Sequence, residues 1–159
     1  SDAQVELASR SGLRRVPVRE FFIGPKRNAM KADELIAAFL VQPAPGPQQF
    51  SKVGTRNAMV IAVCSFALAL DLGKRTVGTG IGSAGPTPLR AIEAEDFIQG
   101  ELDWENRSAP SEATLRRFGD LAASAAKPID DVRGTAAYRR HALAVMARRC
   151  LSWTWAAAA

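Results

Sequence analysis

The chain has 159 residues, 47% of them hydrophobic, which is enough for one globular domain, or one domain with a piece of another. Its net charge of +5 permits acidic partners, but the basic residues are scattered along the sequence, so no nucleic-acid-binding face is predicted. The single histidine and the two cysteines lack metal-ligand spacing, and no apolar run reaches the length that spans a bilayer. We therefore expect no metal, no nucleic acid and no membrane partner, and we expect Cys64 and Cys150 to be buried free thiols in a reducing cytoplasm.

The chain opens with a predicted β-hairpin. Residues 3–9 and 14–19 each alternate apolar and polar side chains, and Ser11 and Gly12 supply a turn between them. Pro17 cannot donate a backbone hydrogen bond, so the second strand is predicted to lie at the edge of a sheet. Since two strands alone are not stable, we expect further strands to be provided elsewhere.

Less regular segments follow the hairpin. Residues 21–27 predict a loop, because Gly24 and Pro25 interrupt any regular element. Residues 31–41 predict one helical turn that passes into a short strand. The next segment, QPAPGPQQ at residues 42–49, predicts an unpaired linker between two structural units, since each proline lacks a donor.

Residues 50–100 predict a buried hairpin followed by a covering helix. The first strand is assigned to residues 50–72, where both alternating sets of side chains are mostly apolar, as in a strand that is covered on both faces. Helix is the competing interpretation because Ala and Leu favour it, whereas the β-branched cluster at residues 60–63 favours the strand. After a turn at residues 72–75, residues 76–81 return as the second strand.

The glycine-rich run GTGIGSAG at residues 78–85 has two interpretations. It follows a strand and precedes a helix, as a dinucleotide-binding loop does. However, Gly85 and Pro86 separate it from the helix, and no acidic residue ends a following strand at the right distance. Close backbone approach or a bulge within a sheet is therefore the favoured interpretation.

Three helices are predicted in the second half of the chain. The first spans residues 88–99 with Gly100 after its end, the second ends at Lys127, and the third reaches about Trp155. Each is preceded by a hydroxyl residue in the N-cap position; these are Thr87, Ser111 and Thr135. His141 lies close to the apolar stripe of the third helix, and with no second ligand nearby it is assigned a structural role.

The residue chemistry thus predicts an α+β fold without a catalytic constellation. Beyond this, five stretches that follow one another along the chain resemble a known family. They are RRVPVREFFIGP, ADELIAAF, FSKVGTRNAMVIAVCSFALALD, GSAGPTPLRAIEAEDFIQG and IDDVRGTAAYRRHALAVMARR. Together they resemble the medium, FAD-binding subunit of the molybdenum hydroxylases, the family of xanthine dehydrogenase and carbon monoxide dehydrogenase.

The resemblance implies a fold and a domain division. Residues 1–45 resemble an incomplete, C-terminal part of the FAD-binding domain, which forms a partial β-rich segment. Residues 46–159 resemble the C-terminal α+β domain of the flavoprotein subunit, a three-stranded antiparallel sheet covered by three helices. The third strand is then expected near residues 49–54, separated from the long apolar strand by a bend near Arg56.

The resemblance also implies electron transfer. In such enzymes FAD in this subunit passes electrons to an acceptor, after molybdopterin and 2Fe-2S centres in partner subunits have taken them from the substrate. The iron–sulfur subunit and the molybdopterin subunit are therefore the expected partners. The segments that hold the FAD pyrophosphate lie upstream in the family, so we expect this chain alone to bind flavin weakly or not at all and to be inactive. The alternative is a non-catalytic α+β interaction module for subunit assembly.

Three positions match flavin-near positions of the family. Lys52 matches a lysine that approaches the isoalloxazine ring, where a cation stabilises the negative charge of the reduced flavin. Ile36 matches an apolar residue that packs on the ring, and Arg56 matches a basic residue at the start of the loop that borders the flavin. The competing interpretation of Lys52 and Arg56 is a solvated strand end. No catalytic residue is predicted.

One departure from the family concerns the electron acceptor. Family members often carry an aspartate a few residues after the position of Arg56, whereas this chain has Asn57, Ala58 and Met59. The loop affects acceptor access in relatives. The choice between NAD, oxygen and another acceptor is therefore open.

Overall fold

The chain forms two compact units, divided between Pro43 and Ala44. In the computed structural model, residues 3–57 and 59–158 are described, and Ala58, which the sequence analysis placed within its first long strand, lies outside them. The first unit is mainly β-structure. The second unit carries one sheet and three helices.

The first unit contains two small antiparallel sheets. Its elements are β1 (Gln4–Ser9), β2 (Gly12–Pro17), α1 (Val18–Phe21), β3 (Phe22–Gly24), β4 (Arg27–Asn28) and β5 (Leu35–Leu40). The larger sheet has the strand order β2–β1–β5, so the predicted hairpin is confirmed and Pro17 ends an edge strand. The short strand predicted within residues 31–41 is confirmed as β5.

The prediction of a loop at residues 21–27 is wrong in part. Strands β3 and β4 form a two-stranded ribbon in which Phe22 pairs with Asn28. Lys26, at a φ of 56°, lies in the turn between them. The N–H of Ala29 donates to the carbonyl oxygen of Phe21 at 2.9 Å, which closes the ribbon onto α1. Glycine and proline therefore mark a tight reversal here rather than an unpaired loop.

The second unit has the predicted α+β architecture. Its elements are β6 (Gln48–Val53), β7 (Cys64–Asp71), β8 (Thr76–Gly82), α2 (Ile92–Glu101), α3 (Glu112–Ser124) and α4 (Ala136–Ala156). The three strands form an antiparallel sheet in the order β6–β7–β8. α4 packs against β6 and β7, α2 packs against β8, and α3 packs on both helices.

The assignment of residues 50–72 to one strand is wrong. The chain leaves the sheet after Val53 and returns at Cys64, and residues 54–63 form what we call the β6–β7 loop. The N–H of Val63 donates to the carbonyl oxygen of Val53 at 2.7 Å and closes the base of this loop. The third strand expected near residues 49–54 is confirmed as β6, with Arg56 inside the bend.

The unpaired linker is also shorter than predicted. Gln48 and Gln49 already pair with Ala69 and Leu68 in the sheet. The carbonyl oxygen of Pro47 accepts a hydrogen bond from the N–H of Leu70 at 3.0 Å. Proline lacks only the donor, so its carbonyl still extends the ladder by one bond.

The predicted helix ends agree with the structure only where they depend on local hydrogen bonds. The side chains of Ser111 and Thr135 accept the N-cap hydrogen bonds of α3 and α4 as predicted. The predicted start of the first helix near Thr87 is wrong, because Leu89 exchanges two backbone hydrogen bonds with Ile81, at 2.8 and 3.0 Å, and the helix begins only at Ile92. Its predicted end before Gly100 is wrong as well, since α2 continues to Glu101.

One face of the second sheet and the three helices enclose the main core. Cys64, Phe66, Leu68 and Leu70 of β7 are all buried on the helix-facing side. Phe66 meets Phe118 of α3 edge to face, with ring centroids 6.3 Å apart. This core fixes β6, and hence the candidate site residues on it, relative to α4.

Candidate functional site

The alternation of β6 directs Lys52 away from the core. Val53 and Ser51 pair with the buried Cys64 and Phe66, so their side chains lie on the helix-facing side of the sheet. Phe50 and Lys52 therefore lie on the opposite side, and both are exposed. An exposed aromatic ring next to a lysine makes this end of β6 a candidate for binding a planar, anionic group.

The ammonium group of Lys52 makes a hydrogen bond to the backbone. Its Nζ donates to the carbonyl oxygen of Val60 at 3.1 Å, across the base of the β6–β7 loop. An ammonium group has three N–H donors, so two remain for another acceptor. Lys52 can thus brace the loop and still present positive charge to a ligand.

Arg56 braces the same loop from within. Its Nη2 donates to the carbonyl oxygen of Met59 at 2.7 Å. The side chain of Met59 is 92% exposed and that of Ile61 is 67% exposed. Lys52 from β6 and Arg56 from within therefore both brace one loop, which holds two apolar side chains in solvent.

Arg139 of α4 anchors the end of this loop, and sequence reasoning missed it. Its Nη1 donates to the carbonyl oxygens of Val63 at 2.9 Å and Ser83 at 2.7 Å, and its Nη2 donates to Asp131 Oδ1 at 2.5 Å. The Arg139 side chain is 5% exposed, and its Nε is a buried donor without a partner among the described residues. The sequence did carry one indication of this role, because helical spacing places Arg139 on the same face of the helix as the apolar Ala142, Leu143 and Met146.

The hydrogen bonds around Asp131 keep that carboxylate ionised. The backbone N–H of Arg133 and then the guanidinium of Arg139 lower the pKa of Asp131. Asp131 also exchanges two backbone hydrogen bonds with Gly134 just before α4. The loop that precedes α4 is thereby fixed to the same arginine that holds the β6–β7 loop.

Ile36 lies in the first unit, in strand β5. It pairs with Leu7, which is fully buried, so both side chains lie on the core-facing side of that sheet. Ile36 is nevertheless 42% exposed, and the neighbouring Phe39 on the same side is 62% exposed. The core-facing side of the sheet is therefore open at β5 and offers an apolar surface.

An ion pair between the partly exposed Arg14 and the buried Glu34 holds the chain just before β5. Arg14 donates to both carboxylate oxygens of Glu34, at 2.5 and 2.8 Å, and the N–H of Lys31 donates to the same carboxylate at 2.6 Å. These hydrogen bonds, that of Arg14 first, lower the pKa of Glu34 to about 2. Glu34 therefore stays ionised near neutral pH and fixes the start of the strand that carries Ile36.

Within β8, the backbone N–H groups of the glycine-rich run are engaged in hydrogen bonds rather than directed at a phosphate. On one edge β8 pairs with β7 through its full length. On the other edge the N–H groups of Val77, Thr79 and Ile81 donate to Gln99 Oε1, Glu95 Oε1 and the carbonyl oxygen of Leu89. A Cβ at Gly82 would lie 2.5 Å from Ser65 Oγ, so close approach within the sheet explains that glycine.

On the second unit, Lys52 offers spare N–H donors and positive charge, which suit the ring of a reduced flavin. On the first unit, Ile36 offers an apolar side chain, which suits the face of such a ring. The part of the glycine-rich run that lies in β8 is paired within the sheet and does not fit a pyrophosphate.

The part of the chain that the structure describes contains neither a metal-binding cluster nor a helix that could span a membrane. Across residues 3–57 and 59–158, no group of histidine, cysteine and carboxylate side chains is arranged to hold a metal ion. No helix in the same ranges combines the length and the apolar character needed to cross a membrane. Both cysteines are free and buried, so the predicted absence of a disulfide is confirmed.

Comparison with known proteins finds one family and several relatives. Residues 49–154 match the family described as the CO dehydrogenase flavoprotein C-terminal domain. The xanthine dehydrogenase FAD-binding subunit of Escherichia coli O157:H7 is 32% identical over 165 residues, which cover 99% of this chain and 53% of that protein. The nicotine 6-hydroxylase medium subunit of Paenarthrobacter nicotinovorans is 28% identical, covering 94% of this chain and 51% of that protein.

A solved structure matches over the same extent. A chain of the reconstituted CO dehydrogenase from Oligotropha carboxidovorans has a TM-score of 0.82 at 26% identity, covering 98% of this chain and 54% of its own length. The present chain thus spans about half the length of the curated relatives it matches.

Proposed function

The chain belongs to the CO dehydrogenase flavoprotein C-terminal domain family, and from that premise we propose that it is part of the FAD-binding subunit of a molybdenum hydroxylase-type oxidoreductase. The observation that carries the proposal is the family match over residues 49–154, which contains all but the first residue of β6 and all but the last two residues of α4. In this proposal an iron–sulfur subunit and a molybdopterin subunit are the partners, and the cytoplasm is the location. In this proposal, another subunit determines which substrate is oxidised.

The proposed role of the chain is to border the flavin rather than to hold it alone. FAD, when bound, would supply two-electron transfer between the partner centres and an acceptor. Lys52 would present its ammonium to the ring, and Ile36 would pack on one ring face. Residues 1–45 are proposed to be the end of an FAD-binding domain and residues 46–159 the C-terminal domain, in a chain that spans about half the length of its curated relatives.

The β6–β7 loop is proposed to control which acceptor reaches the flavin. Arg56 braces it, and Met59 and Ile61 present apolar side chains at its surface. In place of the aspartate that relatives often carry, this loop has Asn57, Ala58 and Met59. The identity of the acceptor stays an open part of the proposal.

The test of this function uses the complete protein that contains this sequence. Purified with its co-expressed partner proteins, it should carry flavin absorbance in the visible range, and acid extraction should release FAD. The chain of 159 residues alone, titrated with FAD, should bind weakly or not at all. A complete protein that stays colourless and cannot be reconstituted with FAD would contradict the proposal.

A second candidate function is a non-catalytic interaction module for subunit assembly. It is favoured by the exposed apolar side chains Phe50, Met59 and Ile61, which suit a protein contact. The two functions differ in one measurement. Replacing Lys52 changes the flavin potential under the first and changes only subunit assembly under the second.

A further inference from the structure

The outer side of α4 carries positive charge without compensation from its own helix. Ala136–Ala156 contains four arginines and no acidic residue. Arg139 is buried in the core contacts described above, whereas Arg140 and Arg149 are exposed and Arg148 is partly buried. Within residues 3–57 and 59–158, none of these last three makes an ion pair. The helix therefore presents unneutralised cations to solvent.

A groove runs between α3 and α4 beside these cations. Its volume is about 360 Å³, and it is lined by Arg116, Asp120, His141, Ala144, Val145 and Arg148. The helices approach closely at Gly119, where a Cβ would lie 2.6 Å from the carbonyl oxygen of Ala144. Small residues thus form the floor and charged residues form the rims.

The rims favour an anionic occupant. Arg116 has only a long contact to Glu112, at 3.8 Å, and both side chains are about 70% exposed, so this pair is weak. Asp120 is the one acidic side chain in the lining. Arg148 and His141 are seven residues apart on α4, a separation of about 10 Å along a helix. Two carboxylates about 10 Å apart on a partner could contact the Arg148 and His141 side chains, one each.

We propose that the groove between α3 and α4 is a docking site for an acidic, amphipathic segment of a partner protein. Arginine side chains are enriched among the residues that dominate the binding energy of protein interfaces, and Arg116 and Arg148 line the groove. The Ala144 and Val145 floor accepts apolar side chains, which a nucleic acid backbone does not offer.

This inference does not depend on the flavin. It concerns the helical side of the sheet, whereas Lys52 lies on the other side. Failure of the docking test would therefore leave the proposed function untouched, and loss of flavin binding would leave the docking site untouched.

The experiment measures fluorescence anisotropy of a labelled probe titrated with the whole chain. The probe is an alanine-rich helical peptide with leucines on one face and glutamates spaced about two helical turns apart. Its control is the same peptide with glutamine at every glutamate position. We expect the glutamate peptide to bind, with at least about tenfold loss of affinity when salt is raised from low to physiological ionic strength, and the glutamine peptide not to bind.

A double charge reversal locates the site. Arg116→Glu with Arg148→Glu should weaken binding of the glutamate peptide by about tenfold or more. Lys26→Glu with Arg27→Glu makes the same change in net charge on exposed residues of the first unit and should leave binding unchanged. If circular dichroism shows that the first double variant is unfolded, the single reversals Arg116→Glu and Arg148→Glu replace it, since each removes one cation from the lining.

Two results would overturn the proposal. One is equal loss of binding in both double variants, which would mean general charge attraction rather than a site. The other is tight binding of a single-stranded oligonucleotide without binding of the glutamate peptide, which would assign the groove to nucleic acid.

Discussion

Lys52 and Val60 are joined by a hydrogen bond from the lysine ammonium to the backbone carbonyl oxygen, at 3.1 Å. The bond connects the last residues of β6 to the middle of the β6–β7 loop. The residue proposed to face the flavin is thus also a brace of the loop proposed to control the acceptor. A substitution at Lys52 is expected to affect both properties.

Lys52→Met in the complete protein should lower the flavin reduction potential. At about 4 Å and an effective dielectric of 20, two unit charges interact by about 4 kcal/mol. Because Lys52 is exposed, solvent screening leaves about a quarter of that, which shifts a two-electron potential by roughly 20 mV. Titration with a redox dye measures the shift.

Lys52→Arg is the matched control for charge. It keeps the cation and should restore most of the potential. Thermal stability should change little in either variant, because the lost hydrogen bond lies at the surface. Identical potentials in the wild type and Lys52→Met would remove Lys52 from the flavin site.

Arg139→Ala should lower the free energy of unfolding of the second unit by about 3 kcal/mol. The substitution leaves the carbonyl oxygens of Val63 and Ser83 without their donor in a buried setting. Urea titration followed by tryptophan fluorescence measures it, since all three tryptophans lie in this unit. Arg140→Ala, one residue away and exposed, should change the free energy by less than about 0.5 kcal/mol.

The first unit should lose stability in acid because of Glu34. Its pKa is about 2 in the folded protein against an ordinary value of 4.5, so the folded form binds the proton less readily. The stabilisation is complete above pH 4.5 and is lost as the pH falls from there to about 2. Hydrogen exchange of the Leu7 amide, compared with tryptophan fluorescence from the second unit, separates the two units.

Glu34→Gln should remove this acid dependence from the Leu7 amide. Glu20→Gln, at an exposed pair with Arg19, is the control and should keep it. An unchanged acid profile in Glu34→Gln would mean that another carboxylate is responsible.

Cys64 and Cys150 should be unreactive in the native protein. Burial raises the pKa of both thiols, although Arg139 opposes this at Cys64 and a hydrogen bond to Ser51 opposes it at Cys150. Ellman's reagent at mildly alkaline pH should therefore label neither until the chain is unfolded. Double replacement by Ala should cost on the order of 1 kcal/mol per site and leave flavin reduction in the complete protein unchanged. Rapid labelling of either thiol in the folded chain would contradict this.

The features predicted correctly from the sequence are those that depend on residues close together along the chain. The N-caps of α3 and α4 follow from the hydroxyls of Ser111 and Thr135, each of which accepts a hydrogen bond from an N–H three residues ahead. The alternation in β1 and the position of Pro17 predicted an edge hairpin correctly. The resemblance to the FAD-binding subunit is confirmed by the family match, and it located β6 where the pattern alone did not.

The errors have causes outside the short pattern on which each prediction was based. Thr87 and Pro88 look like a helix start, yet Ile81 of the neighbouring strand binds Leu89 first. Residues 60–63 look like a strand because they are β-branched, yet Lys52 and Arg139 hold that segment in a loop. Arg14 and Glu34 are 20 residues apart, so no local pattern indicated their pairing. The roles of Lys52, Ile36 and Arg56 at the flavin stay predictions.

The contact between Arg139 and Val63 spans 76 residues of sequence, which has a consequence for how the second unit is made. All three strands are synthesised before any of the helices that cover them. Until α4 leaves the ribosome, Phe66, Leu68 and Leu70 lack the helical layer that buries them. Contacts of such long range slow folding, because the intervening chain must be ordered before they form. The nascent strands therefore form the segment of this protein most exposed to aggregation, and the one where a chaperone would act.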